Sequence, residues 1–369
     1  MKFTCSVPCL FGLEGLVSDE LKRLKMENVR AENGRVLFDG GWAEVARANL
    51  CLRMGERVLI VLGEFPAPTF DALFEGTKAL PWEQFIPKNG TFPIRCRTVY
   101  SALHSMPDCQ KIVKKAMSVR LGSHYHADWM PETGELYQIR VSILKDVASL
   151  ALDTTGSGLH KRGWRAQGND APLRETLAAA IVNLARYRGR DIFLDPFCGS
   201  GTICIEAALA ATNRAPGANR DFSARHWTTM PQQLWASELD AAKAREFHGD
   251  YHIFGSDIDP KSVAIARSNA KKAGVEDLIT FTEADALTRA LPEGGGILAA
   301  NPPYGQRLGE MRDAQKLYQQ FGRRMAREDG WKQYILTSEP EFERYYGRRA
   351  TKKRKLYNGM IQCNLYMYF

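Results

Sequence analysis

Residues 191–208, Asp-Ile-Phe-Leu-Asp-Pro-Phe-Cys-Gly-Ser-Gly-Thr-Ile-Cys-Ile-Glu-Ala-Ala, constrain the fold more than any other stretch of the chain. Residues 192–194 are a short apolar run of strand type, residues 196–201 form a turn of small residues, and Ile203, Ala207 and Ala208 resume at helical spacing. The pattern predicts a strand, a glycine loop and a helix. Gly199 and Gly201 let the backbone approach a ligand closely, and the amides opening the helix favour an anionic group. A lone Gly-x-Gly fits a ligand-free turn equally well, and residues 252–304 decide between the two.

Those residues hold three further strand-and-loop units. Residues 252–254 form a strand ending in Gly-Ser-Asp257-Ile258-Asp259, and residues 260–273 have the period of a helix. An acid at the end of the second strand is where a doubly wound sheet meets ribose hydroxyls, and Asp257 is the choice. Residues 279–282 lead to Asp285 and Ala286. Asp285 suits either an exocyclic amine or a helix cap. Residues 296–300 run into Asn301-Pro302-Pro303-Tyr304, where two prolines fix the backbone and remove two amide donors, leaving the Asn301 and Pro302 carbonyls free for a cleft. This is an α/β chain of doubly wound type. A nicotinamide fingerprint is disfavoured, because Cys204 stands where the third glycine belongs and Asp257 lies far beyond the expected twenty residues.

The 369 residues suit two or three domains, and 44% apolar with 25% charged residues is ordinary globular composition. No run is long enough to cross a bilayer, and residues 1–15 lack the apolar core of a signal peptide, so a cytoplasmic protein without membrane contact is expected. Eight cysteines without a Cys-x-x-Cys pair read as reduced, mostly buried thiols, and no metal is expected. A net charge of +8 permits a polyanionic partner without requiring one.

The N-terminal part reads as α+β. Residues 1–60 alternate short strands with two amphipathic helices and a turn at Asn33-Gly34. Residues 91–98 and 135–142 read as strands, and 108–122 as a helix with Lys111, Lys114 and Lys115 outward, suited either to phosphate or to solvent. Residues 153–165 read as a connector, in which Arg162, Trp164 and Arg165 also offer a stacking ring between cations, as single-stranded RNA uses. Aromatic residues Phe222, His226, Trp227 and Trp235 in the insertion after the first glycine loop are expected to be buried over the second half, with substrate stacking as the alternative. The basic run Arg348-Arg349-Ala-Thr-Lys352-Lys353-Arg354-Lys355 is either a solvated loop or an RNA contact. It precedes a hairpin with its turn at Asn358-Gly359.

Phe74-Glu75-Gly76, the basic helix and the layout of residues 60–155 resemble the THUMP domain, an RNA-binding module that usually follows a ferredoxin-like unit. The series Asp195-Pro-Phe-Cys-Gly-Ser-Gly-Thr, Asp257-Ile-Asp, Asp285-Ala and Asn301-Pro-Pro-Tyr resembles class I S-adenosylmethionine-dependent methyltransferases acting on amino nitrogens of bases. Together the halves are similar to bacterial 23S rRNA guanine-N2 methyltransferases of the RlmL/YpsC type. The resemblance implies a Rossmann-like methyltransferase domain preceded by an α+β ferredoxin-like and THUMP region. Its boundaries would be 1–60 (ferredoxin-like), 61–155 (THUMP-like), 156–170 (linker) and 171–369 (methyltransferase), with no second methyltransferase domain. It further implies S-adenosylmethionine held by Asp195, Pro196, Cys198, Gly199, Ser200, Gly201, Thr202 and Leu173, with Asp257 on the ribose. Asp285 would meet the adenine amine, and Ile258 and Ala286 would pack on the ring. Asn301 and Pro302 would orient the target amine, Pro303 would stiffen the loop and Tyr304 would stack on a flipped base. Adenine-N6 methylation of DNA or RNA, tRNA guanine-N2 methylation and a non-catalytic ribosome-assembly role are the rival readings.

Overall fold

The computed structural model describes residues 2–165, 173–305 and 308–369, with the side chains of 308 and 309 also outside the description. The chain divides into two compact units, one of Met1–Cys9, Val17–Leu159 and Asp221–Asp240, the other of Leu10–Leu16, His160–Arg220 and Ala241–Phe369.

In chain order the first unit contributes β1 (Phe3–Pro8), α1 (Glu14–Arg23), β2 (Glu27–Glu32), β3 (Arg35–Gly40), α2 (Trp42–Cys51), β4 (Leu59–Pro66), α3 (Phe70–Lys78), β5 (Ile94–Val99), α4 (Met106–Tyr125), β6 (Ile139–Leu144) and β7 (Val147–Asp153). Asn33-Gly34 reverses the chain between β2 and β3, with Gly34 at φ +76°. All seven strands form one sheet in the order β2-β3-β1-β4-β7-β6-β5. β4 pairs with β1 through its first three residues and with β7 along its length. A boundary at residue 60 would therefore cut a strand whose two neighbours share it. β6 buries Ile139, Val141 and Ile143 at period 2, and α4 buries the stripe Cys109, Val113, Ala116 and Met117. The strands expected at 91–98 and 135–142 begin later, after a single bridge between Thr91 and Leu136.

The second unit contains α5 (Glu175–Leu184), β8 (Phe193–Asp195), α6 (Thr202–Ala211), α7 (Gln232–Lys243, which starts in the first unit), β9 (Ile253–Asp257), α8 (Pro260–Ala273), β10 (Ile279–Glu283), β11 (Gly296–Ala300), α9 (Leu308–Met325), β12 (Trp331–Thr337), α10 (Phe342–Tyr346), β13 (Lys352–Asn358) and β14 (Ile361–Tyr368). Its sheet runs β10-β9-β8-β11-β12-β14-β13, parallel from β10 to β12 and antiparallel beyond. The chain moves outward from β8 through β9 to β10, then returns to β11 on the other side of β8. That reversal opens a crevice at the carboxyl ends of the strands. One face carries an aromatic core of Tyr318, Phe321, Phe342, Tyr346 and Tyr366 with Leu298 and Ile335. Burial of each such side chain contributes about 1.5–3 kcal/mol. Asn358 pairs with Ile361, so the β13–β14 loop is Gly359-Met360, one residue beyond the expected turn.

The insertion corrects an expectation. Phe222, Trp227 and Trp235 are buried, whereas His226 is exposed and pairs with Asp221 at 2.6 Å, and residues 221–240 belong to the first unit and not to the methyltransferase half. Trp227 stacks on Tyr137 at 4.9 Å, meets Trp42 edge-on at 6.3 Å and donates its indole N–H to the Leu136 carbonyl at 2.9 Å. Glu238 adds an ion pair to Arg47 at 2.6 Å. Sequence order suggested the nearer partner; aromatic packing selected the distant one.

Candidate functional site

Strands β8, β9, β10 and β11 aim their carboxyl ends at one cleft of about 550 Å³. Asp195, Pro196, Cys198, Gly199, Ser200, Thr202, Asp257, Ile258, Asp285, Ala286 and Leu173 line it, together with Asn301, Pro302, Pro303 and Tyr304. Gly201 does not line it. It supports the loop from below, at φ +83°, where a Cβ would stand 3.0 Å from the Ala266 methyl and 3.0 Å from the Phe281 ring. Only glycine meets both demands.

Hydrogen bonds fix the loop. The Cys198 amide donates to the Ser256 carbonyl at 2.9 Å and the Gly199 amide to Asp257 Oδ2 at 2.9 Å. Asp257 Oδ1 accepts the Asp259 amide at 3.0 Å, which holds the carboxylate at the strand end. Asp259 is occupied elsewhere, capping α8 through the Lys261 and Ser262 amides at 3.1 Å each. Of the two acids, Asp257 is the one in the cleft. Asp285 Oδ1 accepts the Leu287 amide at 2.8 Å, closing a turn and not capping a helix, since no helix follows it before β11, and this uses one oxygen. Ile258 is 69% exposed beside the cleft, an apolar side chain left without cover.

Asp195 is 1% exposed and its Oδ1 accepts the Phe197 amide at 3.1 Å. Burial, and to a lesser degree the neighbouring Asp257, pushes its carboxyl up to about 8, against the opposing effect of that amide. Burial thus favours the protonated form of this carboxyl.

Asn301 closes β11. The Tyr318 hydroxyl donates to the Pro303 carbonyl at 2.5 Å, pinning the double-proline turn to α9. Among the described residues no donor reaches the Pro302 carbonyl. The Tyr304 hydroxyl donates to Asn301 Oδ1, and the Cys363 thiol lies 3.7 Å from that hydroxyl. Burial holds the Tyr304 phenol well above its usual range. Tyr304 thus lines the cleft with its hydroxyl turned to Asn301 Oδ1, which keeps a second lone pair.

Residues 162–367 match the model of the RMKL-like methyltransferase domain, more than half of the chain. The chain belongs to that family. Residues 4–59 match the RlmL ferredoxin-like domain and residues 67–153 the THUMP domain. A Bacillus subtilis protein named "Putative RNA methyltransferase YpsC" is 44% identical over all of this chain and 96% of its own length. The ribosomal RNA large subunit methyltransferase K/L of Syntrophotalea carbinolica is 35% identical over 99% of this chain. The chain spans about half (53%) of that longer relative. The crystal structure of SMU.472 complexed with SAH superposes with a TM-score of 0.95 at 40% identity, covering 100% of this chain and 98% of its own.

Within this methyltransferase the residues expected to meet RNA separate into two groups. Lys111 and Lys115 are exposed on α4, Lys111 near Asp108 at 3.7 Å and Lys115 at 6.0 Å from the Phe74 ring centroid. Lys114 is a correction: it pairs with Glu132 at 2.6 Å, donates to the Phe92 carbonyl at 3.1 Å and sits 3.5 Å from the Phe92 ring centroid. Arg162 and Trp164 are corrections too. Arg162 is 2% exposed and bound to Glu206 at 3.0 Å, and Trp164 is 3% exposed, so neither offers a surface to a base. Arg165 turns to the glycine loop instead, bonding Glu175 at 2.8 Å, Ser200 Oγ at 2.9 Å and Thr202 Oγ1 at 2.7 Å. The expected linker lies outside the described residues from 166 onward, as do Ala171 and Pro172.

Phe197, Ile203, Leu317, Asn358 and Ile361 complete the cleft, and none was named individually as a site residue from sequence. Leu317 belongs to α9, whose apolar spacing marks a helix but not which cleft it reaches. Among the described residues no group of three or more His, Cys, Asp or Glu side chains could hold a metal ion, and no helix is long and apolar enough to cross a membrane.

Proposed function

We propose that the cleft binds S-adenosylmethionine and that the protein transfers its methyl group to the exocyclic N2 amine of a guanine in 23S rRNA. The observation that carries this reading is Asn301, with its side-chain oxygen and the adjacent Pro302 carbonyl, in the same cleft as Asp257 and Asp285. The donor set fits the cofactor. Asp257 accepts one amide on each oxygen and keeps lone pairs for ribose hydroxyls, while Asp285 has an oxygen left for an adenine amine. Ile258 and Ala286 flank the place of the ring. The loop from Pro196 to Thr202, with Leu173, holds the methionine end.

When bound, the cofactor supplies a methyl group already activated by its sulfonium. The chain's task is orientation. Asn301 Oδ1, through the lone pair that the Tyr304 hydroxyl leaves free, and the Pro302 carbonyl accept the two amino hydrogens and turn the nitrogen lone pair out of conjugation. Tyr304 then stacks on the extruded base. The THUMP match and the relatives' names support RNA as the substrate, and exposed Lys111 and Lys115 offer phosphate contacts. Asn301→Ala tests the assignment: turnover should fall about 10²–10³-fold, as on removal of one oriented polar contact to the reacting group, with cofactor affinity unchanged. A parallel loss of cofactor affinity would contradict the role given to Asn301.

A further inference from the structure

The basic run that the sequence left between two readings lies within a hairpin beside the cleft. Residues 348–369 carry six cations, Arg348, Arg349, Lys352, Lys353, Arg354 and Lys355, and no carboxylate side chain. β13 is the edge strand of its sheet, with β14 as its neighbour. Three of the cations are engaged within the fold: Lys353 pairs with Glu343 at 2.5 Å, Arg354 donates to the Gly12 carbonyl at 2.5 Å and the Arg348 guanidinium lies 5.4 Å from the Tyr368 ring centroid. Arg349, Lys352 and Lys355 are exposed and have no ion-pair partner among the described residues. Charged residues on an edge blunt strand-to-strand association, which accounts for cations on β13 itself but not for Arg348 and Arg349 before it. A run of cations with no acid from residue 348 onward suits a polyanion.

The loop at the end of this strand has a second feature. Gly359, at φ +65°, and Met360 form a two-residue turn, and the Met360 side chain is 99% exposed. The residues on either side, Asn358 and Ile361, line the cleft that holds Asn301. An apolar, flexible side chain thus projects into solvent at the mouth of a site that can act on a base only outside its stack. Proteins that open a stack commonly insert such a wedge.

We propose that the β13–β14 hairpin is the RNA-docking element of this domain, Arg349 just before the edge strand and Lys352 and Lys355 on its two faces taking phosphates around the edge, and Met360 entering the stack where the target base leaves. This rests on the reading of the protein as an RNA base methyltransferase. The test uses the full-length protein and protein-free 23S rRNA from cells lacking it, presented folded in Mg²⁺ and as short denatured fragments. Met360→Ala should lower the ratio of initial rates, folded over fragmented, about tenfold, and Met360→Leu should keep it within about twofold of wild type. Lys352→Gln with Lys355→Gln should reduce the slope of log affinity against log salt by about 1.4, two phosphate contacts' worth. An unchanged ratio in Met360→Ala, or an unchanged salt slope in the lysine variant, overturns the proposal. A wild-type rate of zero on both RNA forms would instead overturn the RNA reading itself, and the hairpin's role with it.

Discussion

Replacing Asp195 by Asn should stabilise the protein, by an amount that depends on pH. The carboxyl is buried, pushed up to about 8, and has Asp257 as a charged neighbour. Its value in the unfolded chain is about 3.9. Between these limits the native state binds a proton that the unfolded state releases, so stability falls as pH rises from about 4 to about 8. At 1.36 kcal/mol per unit the penalty is about 1.5 kcal/mol at pH 5 and about 4 kcal/mol at pH 7. Asn keeps an oxygen for the Phe197 amide, bound at 3.1 Å in the wild type, and has no proton to lose. Its gain over wild type should therefore grow by about 2–3 kcal/mol from pH 5 to pH 7, an upper bound because the new amide hydrogens need partners. Urea titrations at the two pH values read this as a difference in midpoint, about 1 M at a slope near 2–3 kcal/mol per M. A variant equally displaced at both pH values, or less stable only at pH 7, would refute the neutral-acid account.

Gly201→Ala combines a left-handed backbone with a Cβ at 3.0 Å from two neighbours and should cost about 2–5 kcal/mol, measured by the same titration. A change within about 0.5 kcal/mol would mean that the loop relaxes freely. Asp257→Ala removes the acceptor of the Gly199 and Asp259 amides, and cofactor affinity by calorimetry should fall at least about tenfold; an unaltered affinity would move the ribose contact elsewhere. Arg165→Met leaves Glu175 without its ion-pair partner, with Ser200 and Thr202 losing a donor, and should destabilise the second unit by about 3–5 kcal/mol. RNA affinity in that variant should match wild type, and a loss confined to RNA binding would restore the sequence-based assignment of this residue.

The parts of the cleft legible in sequence are those whose chemistry and backbone demands coincide in a few neighbouring residues. Gly199 and Gly201, the acids at 195, 257 and 285, and the double proline after Asn301 each announce a strand end, and repetition of the unit predicts that the ends converge. Leu317, Asn358 and Ile361 were not legible, because each reaches the cleft through packing between segments far apart in the chain. Charge without partners misled in a similar way. Lys114 and Arg162 read as solvent-facing cations, yet Glu132 and Glu206, 18 and 44 residues away, neutralise them in the fold. Trp164 between two arginines had the composition of a stacking site and the burial of a core residue. The insertion shows the same limit on a larger scale, since the partner of Trp227 is Tyr137, on the far side of the whole glycine-loop region in sequence.

The central claim is guanine-N2 methylation of 23S rRNA, and the most direct measurement is transfer from labelled S-adenosylmethionine to protein-free 23S rRNA, tRNA and DNA from cells lacking the protein, with nucleoside analysis of the products. The account predicts label in N2-methylguanosine from 23S rRNA alone. Label in N6-methyladenine, or in tRNA rather than 23S rRNA, would contradict it.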